Sequence, residues 1–250
     1  MSRLHRVFLP AASPGEEIAL CEGEARHVAL VLRLEPGTPV VGFDGRGTLY
    51  DAVLVRVEPR STVVRVERVT AAPPPPEPEL TLALAMVRDE PFEWAIQKAT
   101  ELGCHRLQPL LGDFCAPRAR RQKPDRRLDR WRRISLESLK QCRRSETMEI
   151  LSPRVSQEYF AGGHSGERRL LHPDRAPALP EHLAALAERP ERVAVAVGPE
   201  GGWSPTELAL AGQAGFALFS LGPLVLRSET AAAAALTLLA ARFHWGARIT

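Results

Sequence analysis

A mainly parallel α/β domain, preceded by a small β-rich domain, is the architecture this sequence predicts. Three observations predict it. From Leu80 onward, short apolar runs alternate with segments of helical period. Two of those runs, Val193–Val197 and Phe216–Phe219, break into glycine loops, Gly198-Pro199-Glu200-Gly201-Gly202 and Leu221-Gly222-Pro223-Leu224-Val225-Leu226-Arg227-Ser228-Glu229-Thr230-Ala231. Upstream, Pro73-Pro74-Pro75-Pro76 cannot join a sheet and favours a stiff extended spacer, which puts a boundary over residues 73–79.

Residues 1–72 read as a small barrel or sandwich. Alternating segments at Arg6–Leu9, Val40–Phe43, Tyr50–Val57 and Thr62–Val69 are punctuated by Pro14-Gly15, Pro36-Gly37 and Asp44-Gly45-Arg46-Gly47. Asp-Gly between apolar segments is a hairpin signal. One helix is predicted among them, Glu22–Leu32, with His27, Val28, Val31 and Leu32 on a single face; His27 there is given a packing role.

Residues 80–250 form the α/β domain. Leu80–Met86 is a strand, and Asp89-Glu90-Pro91 opens a helix whose Phe92, Ile96, Ala99 and Leu102 share a face, closed by Gly103. Arg106–Leu111 is the next strand. A loop over Ala116–Pro124 leads into a helix from Asp125 to about Cys142, striped by Leu128, Trp131, Ile134, Leu136 and Leu139. Arg168–Leu171 is a strand, Pro180–Glu188 a helix, and Val193–Val197 the strand before the first glycine loop. Strands separated by helices imply a parallel sheet covered on both faces, with a binding crevice at the strand C-termini.

Composition narrows the class. At 44% apolar and 25% charged residues, the chain reads as a globular protein with no apolar run near the roughly 20 residues a membrane span needs. Ala231–Ala241 reads as a packed helix ending at Arg242. The start Met1–Arg6 carries no secretory pattern, so a cytoplasmic protein is expected. Cys21, Cys104, Cys115, Cys142 and the seven histidines have no metal-ligand spacing, and no metal is expected. The net charge of +3 hides an uneven distribution, with twelve basic against three acidic residues between Arg118 and Arg144. Such a patch suits a polyanion, and RNA contact is expected at Arg118, Arg120, Arg121, Arg126, Arg127, Arg130, Gln141 and Arg144. A solvated helix face is the other reading of the same charges.

The two glycine loops carry the chemistry. Gly198–Gly202 fits neither a dinucleotide fingerprint nor a P-loop, but glycines let backbone groups approach a ligand closely. Ser204-Pro205-Thr206-Glu207 is a capping box with Pro at the first helical position, which fixes where the next helix starts. Spacing alone leaves a tight structural turn open beside a ligand loop. The second loop, with Arg227 and Glu229 before an Ala-rich helix, favours a pocket between the two.

These residues resemble the RsmE family of the SPOUT class. Gly198-Pro199-Glu200-Gly201-Gly202-Trp203-Ser204 is similar to its G-P-E-G-G-[FW]-[ST] motif, and Leu221-Gly222 through Leu226-Arg227-Ser228-Glu229-Thr230-Ala231 to its L-G-x-x-I-L-R-x-E-T-A. Gln97–Gly103 matches Q-K-A-T-E-L-G, Gln141 with Arg144 fits Q-[SC]-x-R, and His27–Arg33 is similar to H-L-x-x-V-L-R. The chain departs from the family at Arg88, where Lys is usual ahead of Glu93, at Thr147-Met148, where Pro is frequent, and at Val225, where Ile precedes Leu-Arg. The resemblance implies an S-adenosylmethionine-dependent methyltransferase acting on N3 of a uridine in 16S rRNA of the small ribosomal subunit. It implies a SPOUT domain with a deep trefoil knot, a PUA-like RNA-binding β-barrel at residues 1–72, and a homodimer.

The methyl donor is then expected against Leu171, His172, Val197, Gly198, Pro199, Glu200, Gly201, Gly202, Leu221, Gly222, Leu224, Leu226 and Arg227. Arg227, Glu229 and Glu200 are the candidate catalytic groups, Arg227 for charge developing on the base. For Glu229, helix capping weighs as much as catalysis. Two other classes stay open: a non-catalytic RNA-binding assembly factor, and a SPOUT enzyme with another RNA target, although the N-x-G-x-x-x-R element of ribose methylases is missing.

Overall fold

The computed structural model describes residues 4–116, 124–173, 177 and 189–244. Arg118, Arg120, Arg121 and the predicted helix Pro180–Glu188 lie outside the described residues. The chain forms two compact units, Met1–Pro75 with Leu139–Thr147, and Pro76–Ser138 with Met148–Thr250.

The first unit is a five-stranded sheet: β1 (His5–Phe8), β2 (Glu17–Ala19), β3 (Pro39–Phe43), β4 (Thr48–Arg56) and β5 (Val63–Ala71), in the order β1-β3-β4-β5-β2. β1 runs parallel to β3, and the other pairings are antiparallel. The Asp-Gly hairpin between β3 and β4 forms as expected: Asp44 Oδ1 accepts from the amides of Arg46 at 2.7 Å and Thr48 at 3.0 Å. Alternate residues (Val40, Tyr50, Ala52, Leu54, Val64, Val66) turn inward onto Ala25 and Val28.

The predicted helix Glu22–Leu32 needs a correction. It is α-helical only over α1 (Glu22–Arg26) and continues as a π-helix from His27 to Leu32, ending on Arg33 at φ 52°. Wider winding, with hydrogen bonds reaching five residues back, moves side chains off the face expected of a 3.6-residue period. Val28 stays buried, His27 is half-buried, and Val31 is 67% exposed.

Leu139–Thr147 completes this unit from far along the chain. The Lys140 ammonium and the Glu24 carboxylate form an ion pair, their side chains only 9% and 5% exposed, and Glu24 also accepts from the Phe8 amide at 3.2 Å. Removing one partner of a buried pair strands the other charge. Lys140→Met is therefore expected to destabilise this unit by about 3–5 kcal/mol in urea unfolding. The double substitution with Glu24→Gln should recover much of that loss.

In the second unit, β6 (Glu79–Ala85), β7 (Arg106–Leu111), β8 (Glu149–Ile150), β9 (Arg154–Val155), β10 (Glu167–Leu171), β11 (Arg192–Val197) and β12 (Ala217–Phe219) make one sheet. Its order is β12-β10-β11-β6-β7-β8, with β9 also on β7, and every pairing is parallel. The mainly parallel α/β expectation holds. Leu80, Leu82, Ala83, Leu84 and Ala85 of β6 are all fully buried, as a strand covered on both faces requires.

Five helices among the described residues accompany it: α2 (Asp89–Glu101), α3 (Pro124–Cys142), α4 (Ser156–Phe160), α5 (Pro205–Gln213) and α6 (Ser228–Phe243). Phe92, Ile96 and Ala99 of α2 are buried on the predicted face, and Gly103 ends the helix at φ 85°, where a side chain would be strained. Phe92 packs on Trp131 of α3 with ring centroids 4.8 Å apart. The Ala-rich run forms α6, with Ala232, Ala235, Leu236, Leu239 and Ala240 buried.

Candidate active site

Three strands end side by side, and the loops that leave them build one pocket. β10 ends at Leu171, β11 at Val197 and β12 at Phe219, with β10 paired to both of the others. The pocket, about 520 Å³, is lined by Leu171–Pro173, Val197–Trp203, Phe219, Leu221, Gly222, Leu224–Ser228 and Ala231. That volume is within the usual range for a small-molecule site, and the C-terminal strand edge is where open α/β sheets place ligands.

Hydrogen bonds across the loops hold the pocket's shape. The Ser228 hydroxyl, first in α6, donates to the Gly198 carbonyl at 2.7 Å, which joins the second glycine loop to the first. The Trp203 indole N–H donates to the Leu171 carbonyl at 3.3 Å, and the His172 amide to Phe219 at 2.8 Å. Gly202 at φ 73° closes a turn whose amide donates to the Pro199 carbonyl at 2.9 Å. A Cβ on Gly201 would lie 2.8 Å from the Phe114 Cβ, so this loop tolerates only glycine without displacement.

Behind the loop, an aromatic cluster supports Trp203. Phe160 stands edge-on to Trp203 at 5.4 Å and to Phe216 at 5.3 Å, and Tyr159 and His164 extend the group. Burial raises the Tyr159 phenol to about 12, despite the opposing charges of Arg154 and Arg106. Burial also holds the His164 imidazole below its ordinary value, against the hydrogen bond to the Tyr159 carbonyl.

The Ser204–Glu207 capping box is present in full at the start of α5. Ser204 Oγ accepts from the Glu207 amide at 3.2 Å, and Glu207 Oε2 from the Ser204 amide at 2.7 Å.

All thirteen residues expected against the donor line this one pocket. Glu200 and Arg227 project there as exposed side chains, whereas Glu229 sits in the first turn of α6 and is not among the lining residues. Sequence reasoning missed Pro173, Trp203, Phe219, Val225, Ser228 and Ala231 as lining residues, although Trp203, Val225, Ser228 and Ala231 stand inside the quoted motifs. Outside the lining, Arg169 is buried in β10 with its guanidinium 4.8 Å from the Phe219 ring and ion-paired with Glu167.

Of the residues expected to contact RNA, Arg126 is exposed on α3. Arg127 and Arg130 reach back to α2, pairing with Asp89 at 2.7 Å and with Glu93 at 2.5 Å. Gln141 is exposed and Arg144 half-buried in the first unit. Among the described residues no group of three or more His, Cys, Asp or Glu is placed to hold a metal ion, and no helix is long and apolar enough to cross a membrane.

With this geometry in hand, known proteins give the pocket its context. A family model described as an RNA methyltransferase domain matches residues 74–240. The chain is 33% identical over 228 residues to the ribosomal RNA small subunit methyltransferase E of Mycobacterium tuberculosis, covering 88% of this chain and 84% of that one. The chain belongs to this methyltransferase family. The Synechocystis member is 30% identical over 222 residues, 88% of this chain and 71% of that one. A methyltransferase E structure from Neisseria gonorrhoeae bound to S-adenosyl methionine superposes with a TM-score of 0.85 at 26% identity, over 96% of this chain and 98% of that one. A Legionella pneumophila structure holding its cofactor SAM gives a TM-score of 0.86 at 30% identity, again over 96% and 98%. The methyltransferase model begins at residue 74 and so takes in the pocket, α2 and α3, and all of β6–β12.

Proposed function

We propose that this chain transfers a methyl group from S-adenosylmethionine to N3 of a uridine in 16S rRNA of the small ribosomal subunit. One observation carries the proposal: both glycine motifs and the end of β10 meet in a single pocket, in a chain belonging to a family of small-subunit rRNA methyltransferases.

The lining fits such a donor. Apolar Leu171, Val197, Leu221, Leu226 and Ala231 suit the adenine and aliphatic parts, and the glycines of both loops let backbone groups come close to the polar parts. Bound there, the donor supplies an electrophilic methyl on sulfur.

The chain's own residues would do the rest. Uridine N3 lies on the Watson–Crick edge, so the base must be unpaired or flipped before it can reach the pocket. N3 carries a proton at neutral pH, and its loss leaves negative charge on the ring. The exposed Arg227 guanidinium, at the pocket edge, is suited to hold that charge. Glu200, exposed on the opposite loop, is the better candidate to take the proton. Glu229, off the lining and in the first turn of α6, fits helix stabilisation.

The finer architecture belongs to the same proposal. A trefoil knot would run through the loops of β10–β12, and a PUA-like barrel through residues 1–72, joined by the linker 73–79 to a methyltransferase domain at 80–250 that lends Leu139–Thr147 to the first unit. A homodimer would use Leu224 and Val225, which are 75% and 83% exposed at the pocket edge. A cytoplasmic location follows from the ribosomal substrate.

RNA contact is assigned to the basic stretch around α3. Replacing Arg126, Arg127 and Arg130 with Ala should weaken RNA binding and reduce its salt slope, with donor binding spared. Because Arg127 and Arg130 are already paired, the slope should fall by less than three full phosphate contacts, roughly one to two on a log–log plot. Transfer of tritium from labelled donor to 30S subunits and to naked 16S rRNA tests the activity itself. Incorporation into either supports the proposal. Salt-sensitive RNA binding with no incorporation would favour a non-catalytic assembly factor.

A further inference from the structure

We propose that Glu207 is a positioning residue for the methyl donor, acting through the Gly198–Trp203 loop; this rests on the donor pocket described above. A glutamate is almost never fully buried unless it is paired. Glu207 is fully buried. It gathers donors from three separate segments: the Ser204 amide at 2.7 Å, the Asp113 amide at 3.1 Å just beyond β7, and the Ser156 hydroxyl that opens α4. These lie 94 and 51 residues away in the chain for Asp113 and Ser156.

Capping α5 requires only the Ser204 contacts. The other two tie the downstream end of the donor loop to the sheet's far side. Asp113 adds a second link, its Oδ2 accepting from Ser204 Oγ at 2.6 Å, and Gln157 Nε2 in turn holds both Asp113 oxygens at 3.1 Å. The approach is close: a Cβ on Gly112 would come 3.1 Å from Glu207 Oε1. A buried carboxylate is tolerated only when such donors surround it, and here all three are neutral. Ser204 directly follows Trp203, the last lining residue of the loop, so displacing Ser204 displaces the backbone that faces the donor. Sub-ångström placement of a binding loop is what such a clasp supplies.

The test is calorimetric titration of S-adenosylmethionine into the full chain carrying Glu207→Gln, Ser156→Ala or Ser156→Thr, with thermal unfolding of each protein without donor. Glu207→Gln turns an amide N–H₂ toward existing donors and should weaken donor binding by about tenfold or more, raising the donor KM more than it lowers kcat. Ser156→Ala, remote from the pocket lining, should weaken it severalfold, and Ser156→Thr should restore it. A purely structural role would lower the melting temperature and leave the donor KM of the folded protein unchanged. A folded Glu207→Gln protein that binds the donor as wild type does overturns the inference. If Glu207→Gln does not fold, unchanged affinity in Ser156→Ala overturns it instead. Wild-type protein that fails to bind the donor would refute the functional proposal itself, a distinct outcome.

Discussion

Gly201→Val protein should fold and lose binding of S-adenosylmethionine. The expected loss is at least about 100-fold in a calorimetric titration, the scale that follows when a binding segment moves by roughly an ångström. Gly201 lines the pocket, and its missing Cβ is replaced in space by Phe114, 2.8 Å from where that carbon would sit. A valine adds two further methyl groups at the same place and so must push the loop, the Phe114 segment or both. The loop cannot yield locally, because its ends are fixed by Ser228 on Gly198 and by Glu207 on Ser204. The sheet beneath is independent of this contact, so circular dichroism and cooperative unfolding should survive. Wild-type donor affinity in Gly201→Val would contradict the assignment of the pocket.

Arg227→Ala should lower kcat by about 10²–10³-fold, the usual cost of removing one group aimed at developing charge. Arg227 is held as the residue ahead of α6 at φ −64° and ψ 152°, beside the buried Ser228 that anchors the helix start. Truncation at an exposed side chain leaves that anchor in place. Donor affinity should therefore change far less than kcat, and Arg227→Lys should recover part of the rate, since it restores charge without the planar fork. A kcat equal to wild type in Arg227→Ala would remove Arg227 from the catalytic groups.

Much of this site is written locally. The Val193–Val197 run, buried on both faces, and the two glycine loops after β11 and β12 carry their signal within a few residues. The capping box at Ser204–Glu207 is likewise a four-residue pattern, and it forms. What the sequence did not disclose is what those side chains do at a distance. Nothing local links Glu207 to Asp113 and Ser156, and a capping glutamate looks the same whether solvated or buried. The basic stretch is legible only as charge, because counting residues does not see that Arg127 and Arg130 face Asp89 and Glu93 on α2.

Short elements fail for a different reason. β8 and β9 have two residues each and α4 five, too few for a period to register, and β2 is a three-residue strand with one inward residue. The π-helix at His27–Leu32 breaks the 3.6-residue rule on which its face was predicted. The long-range return of Leu139–Thr147 to the first unit includes the Lys140–Glu24 ion pair and the Thr147 amide on the Gly45 carbonyl, contacts that only the folded chain brings together.

The reaction proposed for this pocket is methylation of uridine at N3. Wild-type protein, S-adenosylmethionine and unmodified 30S subunits, followed by complete digestion of the 16S rRNA and nucleoside mass spectrometry, tests it most directly. The expected product is 3-methyluridine, formed in proportion to enzyme and about 10²–10³-fold more slowly with Arg227→Ala. A different methylated nucleoside, or none from protein that binds the donor, would contradict it.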